Sequence, residues 1–369
     1  MIMKNLKQKS GFLFSEKKRN NPFFSQKGVA LVLTLIMVTL LAGWALSLNL
    51  KVRDVLFQTN ILKKRMMLYD RAREGIRIGE ALLVKDKMTS QTDSIQEFWA
   101  DKEKISSYLS LLGYSEEELK IEITDVLSKI QINALVNFPN SKNDMQIKLW
   151  ERFLDGLKTE YPELIDNPYE IINPMLDWLD YDDDNAVTGL SGAEKPYYES
   201  ENKLTPRNGP MKSLEELSYV KGINDKLWDK VYNSGIAEKY LTVHGDVTRS
   251  GKSFNYKGKI NINTAPREVV AALITDNAFY HMAEEICSLR EEKSEEKFVY
   301  NLEGKWYKQC PGCEEVPLDE NLITTSSDIF EVSASASDKD TTVKIKAVVK
   351  RYTDKNGKWN SKIKTWISE

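Results

Sequence analysis

The sequence predicts an α+β protein: a long N-terminal membrane-spanning helix packed on a small antiparallel sheet, with a large all-helical domain inserted between the strands. Three observations carry this. An uncharged apolar run covers residues 29–50, long enough to cross a hydrocarbon core of about 30 Å as a helix. Helical spacing of apolar residues then continues without a proline to about Val84. Strand-like alternation begins near Lys120 and returns in the last segments of the chain, with helical texture between.

Each part follows from its residues. The run VALVLTLIMVTLLAGWALSLNL is preceded by Lys4, Lys7, Lys9, Lys17, Lys18, Arg19 and Lys27 against the single acid Glu16. The positive-inside bias puts that end in the cytoplasm and the bulk of the chain across the membrane. A cleavable secretory signal is the alternative, with Gly43 and Ala45 as a small-x-small site. No polar, helix-breaking region precedes that site, and Val52, Val55, Leu56, Thr59, Leu62, Met66 and Tyr69 continue one apolar helical face. Seven bases against one acid give this leader a net +6, so the total of -3 leaves -9 for everything from Val29 onward. An acidic folded part repels a phosphate backbone, which argues against nucleic acid as a partner.

Alternation at Ile121, Ile123, Ile130 and Ile132 marks strands. From about Pro139, LWERFLDGL, NPMLDWLDY, SLEELSYVKGINDKLWDKVY and APREVVAALI have helical spacing, separated by Asn, Pro, Gly and Asp. IFEVSASAS, TTVKIKAVVKRY and KIKTWIS alternate again. A few C-terminal strands cannot bury a core alone, so strands on both sides of the helical block belong to one sheet. The boundaries expected are 1–28 leader, 29–50 membrane helix, 51–137 first part of the αβ domain, 138–298 helical insertion and 299–369 second part.

Lys27-Gly28 followed at once by Val29-Ala30-Leu31 resembles the cleavage signal of the type IV prepilin family. The resemblance implies cutting by a prepilin peptidase after Gly28, a mature protein beginning at Val29, N-methylation there, and a pilin-like fold. Most pilins carry a glutamate five residues into the mature chain, and here that position is Leu33. A carboxylate inside the bilayer costs several kcal/mol unless it finds a partner, and a tip subunit has no earlier subunit's amine to pair with. Among pseudopilins the missing glutamate is the mark of general secretion pathway protein K. The protein K family is also set apart by a helical insertion in the pilin domain.

Three internal segments are similar to that family. They are Asn173-Pro-Met-Leu-Asp177-Trp178-Leu-Asp180-Tyr-Asp182-Asp183-Asp184 with Gly192-Ala193-Glu194 and Tyr197-Tyr198; Asn208-Gly-Pro-Met-Lys-Ser-Leu-Glu-Glu-Leu217 with Val220-Lys-Gly222-Ile223; and Ile260-Asn261-Ile262-Asn263-Thr264-Ala265-Pro266. Asp180, Asp182, Asp183 and Asp184 crowd hard carboxylate oxygens into one short loop, as Ca²⁺ requires, and Glu194 could close the shell. A solvated acidic loop is the alternative reading. The resemblance favours calcium, since protein K is known as a calcium-binding pseudopilin.

The glycine turn at Gly222 and the Asn261–Pro266 segment also resemble helix-hairpin-helix units that hold DNA phosphates. Their flanks, Glu215, Glu216, Asp225, Asp229, Glu284, Glu285, Glu291 and Glu292, have the wrong sign for that role. Cys310-Pro311-Gly312-Cys313 reads as a type II turn that brings two thiols within disulfide range. A redox pair or half of a zinc site are alternatives that lack a supporting context. With two histidines and no nucleophile motif, the chain is expected to be non-catalytic.

The family implies a minor pseudopilin at the tip of a type II secretion pseudopilus. Such a subunit would prime and cap the filament, sit in the inner membrane with its domain in the periplasm, and partner other minor pseudopilins and the major pseudopilin. A minor pilin of a type IV or DNA-uptake pilus, and a membrane-anchored DNA-binding protein, are the rivals.

Overall fold

The computed structural model describes residues 26–162, 165–182, 187–201 and 204–368. The chain divides into two units, residues 1–64 and 65–369. A single helix, α1, runs Gln26–Lys87. From Gly28 onward it is long and apolar enough to cross a membrane. In the first unit its large apolar side chains, Leu31 to Leu62, are exposed, as expected of a stem whose solvent is lipid or other stems.

In the second unit, α1 buries Leu68, Ala72, Ile76 and Leu83, at steps of four, four and seven, on a four-stranded antiparallel sheet. Its strands are β1 Leu119–Asp125, β2 Ile329–Asp338, β3 Thr341–Thr353 and β4 Trp359–Ser368, in that spatial order. Helix α2, Lys102–Leu111, is capped by Asp101, whose carboxylate accepts from the amides of Glu103 and Lys104, and adds Ile105 and Leu109 to this core. Alternation in β2 puts Phe330, Val332, Ala334 and Ala336 inward, with Trp99 edge-on to Phe330 at 5.0 Å. Gly75 and Gly79 let the helix lie close: a Cβ at Gly79 would come within 2.5 Å of Val332 Cγ1, and one at Gly75 within 2.9 Å of Ala334 Cβ. The expected apolar stripe is displaced slightly, because Tyr69 packs on this core while Met66 is exposed.

Asp125 of β1 pairs with Phe330 of β2, so the whole block 126–328 is inserted between neighbouring strands. It has its own core, from Ile130 to Ile323. Its main helices are α3 Asp144–Glu160, α4 Tyr169–Leu179, α5 Lys195–Ser200, α6 Arg267–Leu273 and α7 Met282–Glu291.

Two expectations need correction. The insertion is not all-helical, since residues 247–250 and 253–256 form a hairpin that adds to 136–138 and 141–142 in a second sheet. The alternating Val247-Thr-Arg-Ser and Ser253-Phe-Asn-Tyr stretches, joined through Gly251 at φ 62°, specify it. The insertion also extends past residue 298, because Trp306, Tyr307, Cys310, Cys313, Val316 and Leu322 are buried in its core; the pilin-like sheet resumes only at Ile329.

A polar junction joins the two cores. Arg351 of β3, fully buried, donates to the Leu83 carbonyl at 3.1 Å and to Asp86 at 3.3 Å, and also to Asp93 and to the Ser327 carbonyl. Lys87 reaches Asp93 at 3.1 Å, and the Ser327 amide reaches it at 2.9 Å. Asn261 donates to the Asp93 carbonyl at 2.9 Å and to Asp125 at 2.7 Å. The end of α1, the sheet and the insertion therefore share one buried network.

Candidate metal centre

Helix α4 carries Ile171, Ile172, Met175, Leu176 and Leu179 into the insertion core, and that packing fixes the direction of its last turn. Asp177 on that turn is buried. One Asp177 oxygen accepts from the Ala193 amide at 2.7 Å, the other from the Thr188 amide at 3.0 Å. These bonds fold the segment after α4 back over it. Gly192 is required there, because a Cβ would meet Asp177 Oδ2 at 2.3 Å. The next turn brings in Glu194, 1% exposed, at the start of α5, while Asp180, 8% exposed, closes α4.

One carboxylate oxygen from each of Asp177, Asp180 and Glu194 lies within 4.8 Å of the others. Three buried carboxylates so close repel one another unless a cation or protons compensate. The donors are all hard oxygens, which suits Ca²⁺ rather than zinc or copper, so the residues fit the ion the sequence suggested. They supply charge and part of an oxygen shell.

Of the predicted ligands, Asp180 and Glu194 converge here. Asp182 is half-buried with its carbonyl accepting from Asn208 at 2.8 Å, and is not one of the three convergent carboxylates. Asp183 and Asp184 lie outside the described residues. Asp177 was missed as a ligand although its motif was read. The signal was its helical position, three residues before Asp180 and therefore on the same face.

A second acidic group, Asp86, Asp93 and Glu97, also converges, but there Arg351 and Lys87 already pair with Asp86 and Asp93. Burial, with Asp93 beside it, pushes Asp86 up to about 6; burial, with Asp86 beside it, pushes Glu97 up to about 7.

The remaining predicted positions fall as follows. Gly28, Val29 and Leu33 lie in the exposed early turns of α1. Cys310 and Cys313 are bonded, with Cα atoms 5.1 Å apart, across a turn whose Gly312 has φ 79° and whose Cys313 amide returns to the Cys310 carbonyl at 2.9 Å. The helix-hairpin-helix-like segments serve packing. A Cβ at Gly222 would meet the Glu170 carbonyl at 2.1 Å, so the glycine permits close approach to α4. Asn263 donates to the Leu302 carbonyl at 3.0 Å and accepts from the Trp306 indole at 2.6 Å, tying the far end of the insertion together.

Residues 128–233 match the family described as type II secretion system (T2SS), protein K. A "Putative type II secretion system protein K" of Escherichia coli (strain K12) is 22% identical over 213 residues, covering 56% of this chain and 61% of that protein. The chain thus aligns with about 61% of the length of that curated relative. Among solved structures, the crystal structure of the GspK-GspI-GspJ complex from the enterotoxigenic Escherichia coli type 2 secretion system contains a chain of the same fold. Its TM-score is 0.58 at 12% identity, covering 85% of this chain and 99% of that one. The resemblance to the protein K family is borne out in sequence over residues 128–233, and most of the chain shares its fold with a chain of that solved complex.

Proposed function

We propose that this chain, a protein K relative by sequence and by fold, is a minor pseudopilin of a type II secretion system that occupies the filament tip. The observation that carries this is the insertion: a body of about 200 residues hung between β1 and β2, on a helix and sheet that otherwise suffice for a pilin. A bulky insertion of this kind on a filament subunit would block addition of another subunit beyond it, so growth would proceed from the membrane end. The stem supports the same reading. Leu33, 58% exposed on α1, stands where a glutamate would seek a neighbour's amine, and a leucine there asks for none.

The solved relative is a chain of a complex with GspI and GspJ, and by analogy the partners here are minor pseudopilins of those types, followed by the major pseudopilin. A prepilin peptidase would cut after Gly28 and leave Val29 at the cytoplasmic face of the inner membrane, with the folded domain in the periplasm. Calcium would be held by Asp177, Asp180 and Glu194, tying the end of α4 to the start of α5. No catalysis is proposed. The subunit acts by position and shape.

The test is co-purification of the full-length protein from detergent-solubilised membranes with candidate minor pseudopilins, with the mature N-terminus read by mass spectrometry. A complex whose K-type subunit begins at Val29 is the expected result. A protein that begins at Leu46 and leaves the membrane fraction would overturn the proposal.

A further inference from the structure

Past the membrane run, α1 carries a regular apolar seam. Val52, Val55, Thr59, Leu62 and Met66 follow one another at steps of three, four, three and four, the a and d positions of a heptad repeat, and Leu56 widens the stripe on one side. All six are exposed. Lipid does not cover them. With residues 29–50 filling the hydrocarbon core, residues 51–66 continue the same helix for about 24 Å, whereas headgroups add only about 5–7 Å on that side. Nor can this stretch lie flat on the bilayer surface, because that needs a break after the span and α1 is one helix from Gln26 to Lys87. A heptad stripe standing in water is matched by another helix.

The charges beside the seam define that helix. The flanking e and g positions hold Lys51, Lys63 and Arg65, together with the uncharged Leu56 and Gln58. All three basic residues are exposed. Over residues 51–65, the five bases Lys51, Arg53, Lys63, Lys64 and Arg65 stand against the single acid Asp54, a net +4. Charges at e and g govern partner choice in coiled coils, and a second copy would lay the same positive excess along this one.

We propose that this seam pairs with an amphipathic helix whose own apolar stripe is flanked by Asp or Glu, and that Lys51, Lys63 and Arg65 select that helix over a second copy of this chain. The proposal rests on the reading of α1 as a retained filament stem and adds to it the chemistry of the neighbouring stem.

The experiment uses the full-length protein in nanodiscs of neutral lipid, titrated with a fluorescent heptad peptide that has Leu at a and d and Glu at e and g. A peptide with Lys at e and g is the control, and empty nanodiscs give the background for both. Fluorescence anisotropy should show the Glu peptide binding about tenfold more tightly than the Lys peptide at about 0.01 M salt, with the preference shrinking toward about 1 M. Lys51→Glu with Lys63→Glu and Arg65→Glu should invert the preference. Val55→Asn with Leu62→Asn should abolish binding of the Glu peptide, which separates a seam from bare charge attraction. Equal binding of the two peptides, an unchanged preference in the charge-reversed protein, or full binding by the Asn variant would refute the proposal. A disulfide-linked dimer of the Val55→Cys protein in neutral vesicles without peptide would put a second copy on the seam and refute it too. A protein trimmed to Leu46 keeps residues 51–66, so the same titration in solution judges the seam even if the filament reading fails.

Discussion

Replacing Arg351 by Met tests whether the buried junction holds the sheet and insertion together. The side chain is fully buried, lies 4.5 Å from the Phe330 ring centre, and donates to four groups on three segments. Methionine fills similar space but leaves Asp93 buried with Lys87 and the Ser327 amide alone, and leaves the Leu83 and Ser327 carbonyls without this donor. Removing one member of a buried ion pair costs about 3–5 kcal/mol, and the retained Lys87 puts this case toward the lower end. Asp93→Asn removes the other charge, so the double variant should be less destabilised than the sum of the singles by about 1–3 kcal/mol. Urea unfolding of the detergent-solubilised protein, followed by tryptophan fluorescence, measures all three against wild type. Trp99 on Phe330 lies in the affected core. A single-variant loss under about 1 kcal/mol, or strictly additive losses, would show that the network is not what couples the two cores.

Three further outcomes are expected. Gly79→Val should destabilise by about 1–3 kcal/mol or prevent helix docking, since the new side chain meets Val332; an unchanged urea midpoint would refute the close approach. A calcium chelator should lower the melting temperature of wild type and leave Asp180→Asn with Glu194→Gln unchanged, as expected if ion binding stabilises the fold by about 2.7 kcal/mol at a hundredfold excess over its dissociation constant. Equal melting with and without chelator would leave the carboxylates as a protonated or solvated cluster.

The junction acids fix the sign of a pH effect. Asp86 and Glu97 rise from ordinary values of 3.8 and 4.5 to about 6 and about 7, so the folded state holds their protons more tightly. Their contribution is most favourable below about pH 4 and declines as pH climbs to about 7. Asp86→Asn with Glu97→Gln should therefore flatten that decline relative to wild type across pH 4.5–7.5, and parallel melting profiles would refute the assignment.

How far the sequence disclosed this molecule depended on whether the signal was local. Residues 29–50 are one continuous apolar run and the strands of 329–368 alternate, both signals carried by neighbouring residues, and both elements appear where their patterns lie. Met66 sat on the expected stripe but stays exposed, because sheet contact begins at Leu68 and a few residues of helix rotate the buried face. The 247–256 hairpin was masked by helical neighbours. Trp306 to Leu322 carry no period at all, and only their burial in the insertion core assigns them to it. The acidic loop announced a cation site, but sequence crowding favoured consecutive aspartates, whereas the folded chain gathers Asp177, Asp180 and Glu194 from a helix end and a returning turn. Arg351 offered no signal, since an arginine in a lysine-rich strand reads as surface until Asp93 is placed beside it.

The pairing of Asp125 with Phe330 has an architectural corollary. Opposed residues on antiparallel strands sit about 5 Å apart, so the two points where the chain leaves and re-enters the sheet are near enough for a short hairpin to bridge. A large inserted body could thus be gained or lost through a single splice, without re-registering any strand beneath it. Chains with and without such a body can share one chassis for that reason.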